Sequence, residues 1–405
     1  MPTTRSPVYQ ITLTVLLSLG FGFVLFDRNA TNFLMPFIEP ELGLSKFQVG
    51  LLSSGLSLTW AIAAFGIGVV SDKTGSRKGL LVLATLAFSV CSFGSGLTSG
   101  FTMLLLTRMV MGAAEGGFMP ISQSLIASEV DPNYRGLAMG IAQGFGSSFM
   151  GSFVAPVALV AFANAFSWRH AFFLAGAPGI VIALLMVWLI RPPARTAATS
   201  PPRAANTGSY REALKERNVV LCAMLSILLV SYLVVTWAFM PLFLTQIRGY
   251  SEATTSWLMG ALGISATVAS FVIPGLSDYI GRRGPMIATP LIAVILPLAA
   301  MYYTGSPLGL AAIFVVGWLF TGTMPLFMAT VPSESVDARH IAGALGVCMG
   351  AGELIGGVFS TSIAGFVADR TSLYAPLWIL AGLALMAGLT ALGIRETAPR
   401  IVGAD

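Results

Sequence analysis

Long apolar stretches follow one another along the whole chain and are separated by short polar connections. Each stretch holds roughly 20 residues, the length that an α-helix needs to cross the hydrocarbon region of a bilayer. We count twelve of them, at residues 9–36, 47–70, 79–98, 102–127, 137–164, 171–190, 219–244, 254–277, 285–304, 308–331, 341–367 and 376–394. The pattern therefore predicts an all-α membrane protein with twelve transmembrane helices.

The composition agrees with this pattern. Of 405 residues, 56% are hydrophobic and only 10% are charged, whereas a soluble domain carries about 25% charged residues. The first stretch is too long for a signal peptide and no small-residue cleavage site follows it, so we expect it to stay in the protein. All three cysteines lie inside apolar stretches. This placement favours neither a disulfide framework nor a metal site.

Lysine and arginine residues are distributed unevenly between the two sides of the predicted membrane. Connections on the side of Arg5 hold sixteen of the 22, those on the opposite side hold four, and Arg28 and Arg108 lie within apolar stretches. Cytoplasmic connections carry the excess of positive residues. We therefore expect both termini in the cytoplasm and the protein in a bacterial inner (plasma) membrane.

The chain also repeats itself at a spacing of about 205 residues. Met-Pro pairs at 35–36 and 119–120 return at 240–241 and 324–325, and the loop at residues 71–77 returns at residues 277–283. Such internal repeats are typical of secondary transporters. We predict two six-helix halves, residues 1–190 and 219–405, joined by a cytoplasmic linker at residues 191–218.

Four charged residues lie inside the apolar stretches of the first half. Asp27 and Arg28 are adjacent, and Arg108 and Glu115 are seven residues apart, which places them on one helical face. A charge at that depth costs about 2.5–3.5 kcal/mol on insertion scales. One interpretation is a self-neutralising structural pair, and the other is a substrate and proton site. An arginine binds a carboxylate through a two-pronged fork, and a substrate that takes up the charge of Arg28 would favour protonation of Asp27 or Glu115.

The second half has one acid in an apolar stretch, Glu353, which lies among small residues. It is either a protonated glutamate bonded to a neighbouring helix, or a third titratable site or substrate contact. Other polar and aromatic residues at mid-depth are candidate cavity residues, although each alone is more often a packing residue: Trp60, Gln143, Ser147, Ser231, Tyr232, Trp237, Ser265, Trp318 and Thr321.

The loop from Gly68 to Lys78 resembles the signature of the major facilitator superfamily, and Asp278–Arg283 resembles its degenerate second copy. The resemblance covers the whole chain and implies the major facilitator fold with alternating access. It also implies a conformational latch of cytoplasmic acids and arginines, namely Asp72, Arg77, Glu129, Arg135, Asp278, Arg283, Glu334 and Arg339, in which Glu129 faces Arg135 and Glu334 faces Arg339. Simple anchoring at the lipid surface is enough to explain Lys73, Lys78 and Arg282.

Asp27-Arg28, together with the stretch from Arg108 through Glu115 to Pro120, resembles the anion:cation symporter group. Members of that group are proton-coupled carriers of sugar acids and other organic anions. The resemblance implies that Asp27 and Glu115 carry protons, that Arg28 anchors the anion and that Arg108 neutralises Asp27. Leu25 stands where such carriers often have a tyrosine. The same acids and arginines also resemble lysolipid carriers of the spinster type.

We therefore predict a secondary active transporter that moves a small carboxylate, such as a sugar acid or an aromatic acid, together with protons, with uptake as the expected direction. The proton gradient supplies the energy, and we expect no cofactor and no enzymatic activity. The alternatives are a spinster-type lysolipid exporter or a drug–proton exporter and, from a different class, a transport-dead sensor or an anion channel. The expected partners are the anion, protons and the lipid bilayer, without nucleic acid, and we expect a monomer.

Overall fold

The structure is a computed structural model, and all of its described elements are helical. It describes residues 6–74, 76–131, 134–191, 212–337 and 340–402, without the side chains of 65–66, 68–74, 127, 135–136, 143–145, 147, 342 and 399. A helix satisfies its backbone hydrogen bonds within its own segment, which is what a bilayer requires of any segment that crosses it.

The chain divides into two compact units, of which the first comprises residues 1–44 and 55–200. Its helices are α1 (Pro7–Leu42), α2 (Lys46–Thr74, from residue 55 onward in this unit), α3 (Arg77–Gly96), α4 (Phe101–Glu115), α5 (Phe118–Glu129), α6 (Arg135–Gly140), α7 (Ala155–Ala165) and α8 (Trp168–Leu189). A π-helical stretch, Ile141–Val154, joins α6 to α7.

Helix α1 is longer than the apolar stretch that predicts it. It continues through Pro36 and Pro40 and ends at Gly43, whose φ of 61° places it in the left-handed region. Proline removes one backbone donor, but membrane helices tolerate this loss where neighbouring groups compensate. Glycine adopts the left-handed conformation without steric cost. The prolines therefore lie within the helix, and the glycine ends it.

Small residues hold α1 against the π-helical stretch. A Cβ atom on Gly146 would lie 2.1 Å from the carbonyl oxygen of Ser18, and one on Gly22 would lie 3.0 Å from the carbonyl oxygen of Gly146. The Asn29 side chain donates a hydrogen bond of 3.0 Å to the Gly151 carbonyl. Close backbone approach through small residues is the usual way in which membrane helices pack. These contacts fix the rotation of α1 and therefore the direction in which Asp27 and Arg28 project.

Eleven described helices are long and apolar enough to cross a membrane. The stretch predicted at residues 102–127 is divided at Gly116-Gly117 into α4 and α5, which have 15 and 12 residues. A Cβ atom on Gly116 would lie 2.5 Å from the carbonyl oxygen of Trp60 in α2. The interruption thus lies where two backbones approach closely.

The second unit comprises residues 45–54 and 201–405. Its helices are α9 (Arg217–Leu242), α10 (Glu252–Ile280), α11 (Arg283–Ala293), α12 (Ile295–Tyr302), α13 (Pro307–Gly317), α14 (Val331–Glu334), α15 (Ile341–Ala351), α16 (Val358–Arg370), α17 (Tyr374–Ala391) and α18 (Pro399–Val402). Short π or 3-10 segments lie at Phe243–Ile247, Trp318–Thr323, Leu326–Thr330 and Gly352–Gly357. Most of the predicted linker, residues 192–211, lies outside the described residues.

The first turns of α2 belong to this second unit because they pack against α16. The Asp369 carboxylate accepts hydrogen bonds from the backbone N–H groups of Lys46 (2.7 Å) and Phe47 (2.8 Å). Ser54 in α2 lies 2.9 Å from Thr361 in α16, hydroxyl to hydroxyl. The first N–H groups of a helix have no partner within it, so Asp369 caps α2.

Candidate functional site

Asp27 lies near the middle of α1 and is fully buried. Its Oδ1 atom lies 2.8 Å from the Ser92 hydroxyl of α3. Its Oδ2 atom is buried without a hydrogen-bond partner. The carboxyl group is thus held at one oxygen and left unsatisfied at the other.

Arg28, the next residue, is half-buried. Its Cζ atom lies 5.2 Å from the centre of the Trp60 ring of α2. A guanidinium stacked on an aromatic face keeps the N–H donors at its edge available, and these donors match the two oxygens of a carboxylate. The structure therefore brings together two predicted substrate residues, Arg28 and Trp60.

Arg108 in α4 is 1% exposed. One guanidinium nitrogen, Nη2, donates to the Ser95 hydroxyl, and Cζ lies 5.1 Å from the centre of the Phe172 ring of α8. Its Nε and Nη1 atoms are buried without a partner. Arg108 and Asp27 interact electrostatically, but their described hydrogen bonds go to different serines. The neutralisation of Asp27 by Arg108 stays a prediction, for which the structure offers this electrostatic interaction rather than a direct hydrogen bond.

Glu115 ends α4 and is 1% exposed. Both of its carboxyl oxygens are buried without a hydrogen-bond partner. It interacts electrostatically with Arg28, Asp27 and Arg108. The four charged residues that the sequence singles out in the first half thus form one cluster in the first unit, with unused hydrogen-bonding capacity on both acids and on Arg108.

Three predicted substrate residues of the second half lie instead in an aromatic cluster inside the second unit. Tyr232 and Trp318 have ring centres 6.1 Å apart, and Trp237 lies 5.4 Å from Trp318. The Tyr232 hydroxyl donates to the Ala293 carbonyl at 2.8 Å. All three side chains are at most 6% exposed. Large aromatic side chains gain most from such burial, so in this structure they are core residues, and a substrate contact for them stays a prediction.

The remaining candidate residues have local partners or lie outside the description. Thr321 donates to the Trp318 carbonyl at 2.9 Å, and Ser265 donates to the Val315 carbonyl at 2.6 Å. Glu353 is half-buried in the π-helical segment Gly352–Gly357, and its role as a third titratable site stays a prediction. Ser231 is buried, and the side chains of Gln143 and Ser147 are not among those described.

A cluster of charged residues in the second unit centres on Arg282. Its guanidinium binds the Asp278 carboxylate and, at 3.1 Å, the Glu334 carboxylate. Arg282 is 8% exposed, so its assignment to simple surface anchoring is wrong, because a snorkelling arginine would keep its charge in water. The Arg283 guanidinium binds the Leu392 carbonyl at 2.9 Å. Among the described residues, Glu334 is thus paired with Arg282, while the predicted partner Arg339 lies outside them.

The predicted latch of the first unit is only partly described. The Arg77 guanidinium lies 3.5 Å from the Ser128 hydroxyl, and Glu129 is buried. The side chains of Asp72 and Arg135 are outside the description. The pairing of Glu129 with Arg135 therefore stays a prediction.

Glu396, which sequence reasoning missed, organises the same region of the second unit. Its carboxylate accepts from the backbone N–H groups of Arg282 (2.8 Å), Arg283 (3.1 Å), Thr397 (3.0 Å) and Ala398 (2.9 Å). Burial opposes the ionisation of Glu396, but these backbone donors outweigh it and lower its pKa. The carboxylate thereby ties the end of the chain to the start of α11.

Sequence reasoning also missed the uncharged residues that hold the charged cluster, namely Ser92, Ser95 and Phe172. A signal for the serines exists, because Ser89, Ser92 and Ser95 recur every third residue along α3. That spacing gives a polar stripe on one face of an apolar helix. Phe172 has no such signal, since phenylalanine is common in membrane helices.

Comparison with known proteins bears on this arrangement of helices and charges. A family model described as Major Facilitator Superfamily matches the chain in two overlapping segments, residues 17–356 and 219–404. The chain belongs to this superfamily. Membership confirms the predicted family and the all-α, twelve-helix fold.

Similar proteins are named as transporters. The hexuronate transporter of Bacillus subtilis (strain 168) is 28% identical over 397 residues, which cover 90% of this chain and 89% of the relative. A probable 4-methylmuconolactone transporter of Cupriavidus pinatubonensis is 28% identical over 364 residues, which cover 85% of this chain and 82% of the relative. This superfamily member is therefore a multi-pass membrane transporter and not an enzyme.

A solved structure supports the same fold. The inward-facing, unoccupied form of a bacterial homologue of the human lysosomal transporter Spinster superposes with a TM-score of 0.79. It is 21% identical, and the match covers 96% of this chain and 98% of that one. At this identity the likeness shows the fold alone.

Proposed function

We propose that this transporter is a proton-coupled symporter of a small organic anion that carries a carboxylate, with a hexuronate-like sugar acid as the first candidate. The observation that carries the proposal is the cluster of Asp27, Arg28, Arg108 and Glu115 in the first unit, whose acids and Arg108 retain unused hydrogen-bonding capacity. The name of the hexuronate transporter among its relatives supports the choice of substrate class.

Arg28 is the anchor for the anion in this proposal. It is the more exposed of the two arginines, and its described contact is the stacking on Trp60. Stacking fixes the plane of the guanidinium, so a carboxylate meets a pre-oriented pair of donors. Arg108 is held by Ser95 and Phe172 and contributes a fixed positive charge to the cluster.

Asp27 and Glu115 carry the protons. An ionised carboxylate in a buried position needs donors on its oxygens, and three of the four carboxyl oxygens of these residues have none. Protonation removes that charge, while Arg28 and Arg108 support the ionised form. A substrate carboxylate on Arg28 withdraws part of that support, so substrate and proton each favour the binding of the other, as linkage requires.

The distribution of lysine and arginine residues supports an orientation with both termini in the cytoplasm. We place the carrier in a bacterial inner membrane, working as a monomer in the direction of uptake. Substrate and protons would enter together down the proton gradient, and the empty carrier would return after both are released. No step of this cycle requires a cofactor.

The test is uptake of radiolabelled glucuronate into vesicles that contain the purified protein and have an alkaline interior. Asp27→Asn and Glu115→Gln should each abolish accumulation driven by the pH difference, while exchange at equal pH survives in at least one of them. Glu41→Gln is the matched control, because Glu41 is an acid of α1 that pairs with Arg169 and is 48% exposed. Full accumulation in both variants would reject the proposed proton carriers.

The same vesicles separate the alternatives. Flux that rises linearly with glucuronate concentration would indicate a channel, and no flux of any substrate would indicate a sensor. Transport of a lysolipid that glucuronate does not inhibit would favour an exporter of amphipathic molecules. Saturable glucuronate uptake that requires a pH difference supports the symporter.

A further inference from the structure

The Ser92 hydroxyl has two close oxygen neighbours on different helices. Its Oγ atom lies 2.8 Å from Asp27 Oδ1 of α1 and 2.8 Å from the Phe172 carbonyl oxygen of α8. The Ser92 side chain is fully buried. Both distances are those of good O–H···O hydrogen bonds.

A hydroxyl group carries a single proton. A carbonyl oxygen accepts only, and an ionised carboxylate also accepts only. When Asp27 is ionised, Ser92 can therefore donate a hydrogen bond to only one of its two neighbours. At the other contact, the Ser92 oxygen lies against an acceptor oxygen with no proton between them. When Asp27 is protonated, its own O–H donates to Ser92, and Ser92 donates to the Phe172 carbonyl. The protonated acid is the form that makes both contacts hydrogen bonds.

We propose that Ser92 is a positioning residue that transmits the protonation state of Asp27 from α1 to α8. Proton loading turns the Ser92 hydroxyl toward the Phe172 carbonyl, and proton release turns it toward the Asp27 carboxylate. This inference rests on the proposed function in that Asp27 loads the proton.

The other charged and titratable groups near Asp27 belong to the same site. They are Arg28 on α1, Cys91 on α3, and Arg108 and Glu115 on α4. On α8, the contacting residue is Phe172, whose carbonyl faces Ser92 and whose ring lies against the Arg108 guanidinium. A change at the Phe172 backbone therefore also affects Arg108, which interacts with both acids. This contact connects proton loading to the anion site.

The sequence offers a specific probe for this hydrogen bond. Of the 26 phenylalanines, only Phe172 and Phe173 are adjacent. Full-length protein labelled with carbonyl-13C and amide-15N phenylalanine in lipid therefore gives one 13C–15N correlated signal, from the peptide bond between them. The carbon shift of that signal reports whether the Phe172 carbonyl accepts a hydrogen bond from Ser92.

We expect the carbonyl signal of the wild type to titrate with pH. In Ser92→Ala the titration should be lost, and Ser92→Thr, which keeps the hydroxyl, should restore it. In Asp27→Asn the signal should stay at its low-pH position, because the amide donates to Ser92 as the protonated acid does. Should Ser92→Ala not fold, Ser92→Cys replaces it, and its weaker donor should reduce the amplitude of the titration.

Titration of equal amplitude in Ser92→Ala would overturn the proposal. The proposal would also be overturned if the wild-type carbonyl signal does not titrate although Asp27→Asn abolishes the accumulation driven by the pH difference. Failure of the proposed function looks different: Asp27→Asn would keep full accumulation in vesicles, whatever the carbonyl signal does. The two ideas are therefore refuted by separate measurements.

Discussion

Replacing Arg28 with lysine keeps the positive charge of the proposed anchor and removes its planar fork. Lysine presents a compact ammonium group, which gives one strong contact to a carboxylate where arginine gives two parallel ones. The stacked position of Arg28 over Trp60, with 5.2 Å between Cζ and the ring centre, pre-orients that fork. The substitution therefore tests geometry at constant charge.

The size of the effect follows from the loss of one contact. A hydrogen bond to a charged group contributes about 1.5–3 kcal/mol, which corresponds to a rise in the Kd of a carboxylate by roughly 10- to 150-fold. The aromatic contact adds less. A cation–π pair at a partly exposed site contributes about 0.5–1 kcal/mol, so Trp60→Phe should raise the Kd by about fivefold or less.

The assay is calorimetric titration of purified protein with glucuronate at one fixed pH, with glucose as the uncharged control sugar. Arg108→Lys is the matched variant, since Arg108 is buried and held by Ser95. A Kd within a factor of two of wild type for Arg28→Lys would refute the anchor. If Arg108→Lys then lost tenfold or more, the anchoring role would pass to Arg108.

Two further predictions concern the charged cluster around Arg282 in the second unit. Because the folded pKa of Glu396 is depressed, its carboxylate stabilises the protein above the usual glutamate pKa, and this stabilisation is lost as pH falls through the lowered value. Glu396→Gln should therefore reduce the unfolding temperature at pH 7 and reduce it progressively less as the pH falls below the usual glutamate pKa, and a reduction that does not change with pH would contradict the assignment. Arg282→Gln leaves Asp278 and Glu334 without their cation. It should lower the free energy of unfolding by about 2 kcal/mol, which lies between the values for exposed and buried ion pairs. Arg283→Gln should lower the free energy of unfolding by less than half as much in the same thermal unfolding measurement. An equal loss of stability in the two variants would contradict the special role of Arg282.

The sequence carries enough information for the fold and for the charged part of the site. Apolar stretches of membrane-spanning length determine the helices, and a charge inside such a stretch is costly enough to mark a functional residue. This cost marks Asp27, Arg28, Arg108 and Glu115 as candidate residues, and the structure places them in one cluster.

Uncharged partners and helix rotation are much harder to obtain from sequence. Arg282 and Arg283 are neighbours of the same type, yet one bridges two acids and the other binds a backbone carbonyl. Adjacent helical residues point about 100° apart, and only the packed neighbours decide which of them is buried. A related difficulty applies to Tyr232 and Trp318, whose contact with a substrate stays a prediction. A polar aromatic residue at mid-depth suits a cavity wall and a helix core equally well, and here both side chains are packed inside the unit.

The cluster of two acids and two arginines also has an electrical consequence. With Asp27 and Glu115 ionised, the charges of Arg28 and Arg108 are balanced and the empty group is neutral. Each proton adds one positive charge and each monovalent carboxylate removes one, so one proton per monoanion moves no net charge and leaves membrane voltage without influence on the cycle. Two protons per monoanion would carry one positive charge inward, and a potential of 100 mV, negative inside, would then contribute about 2.3 kcal/mol to each cycle. A dianionic substrate taken up with two protons would again cross without net charge.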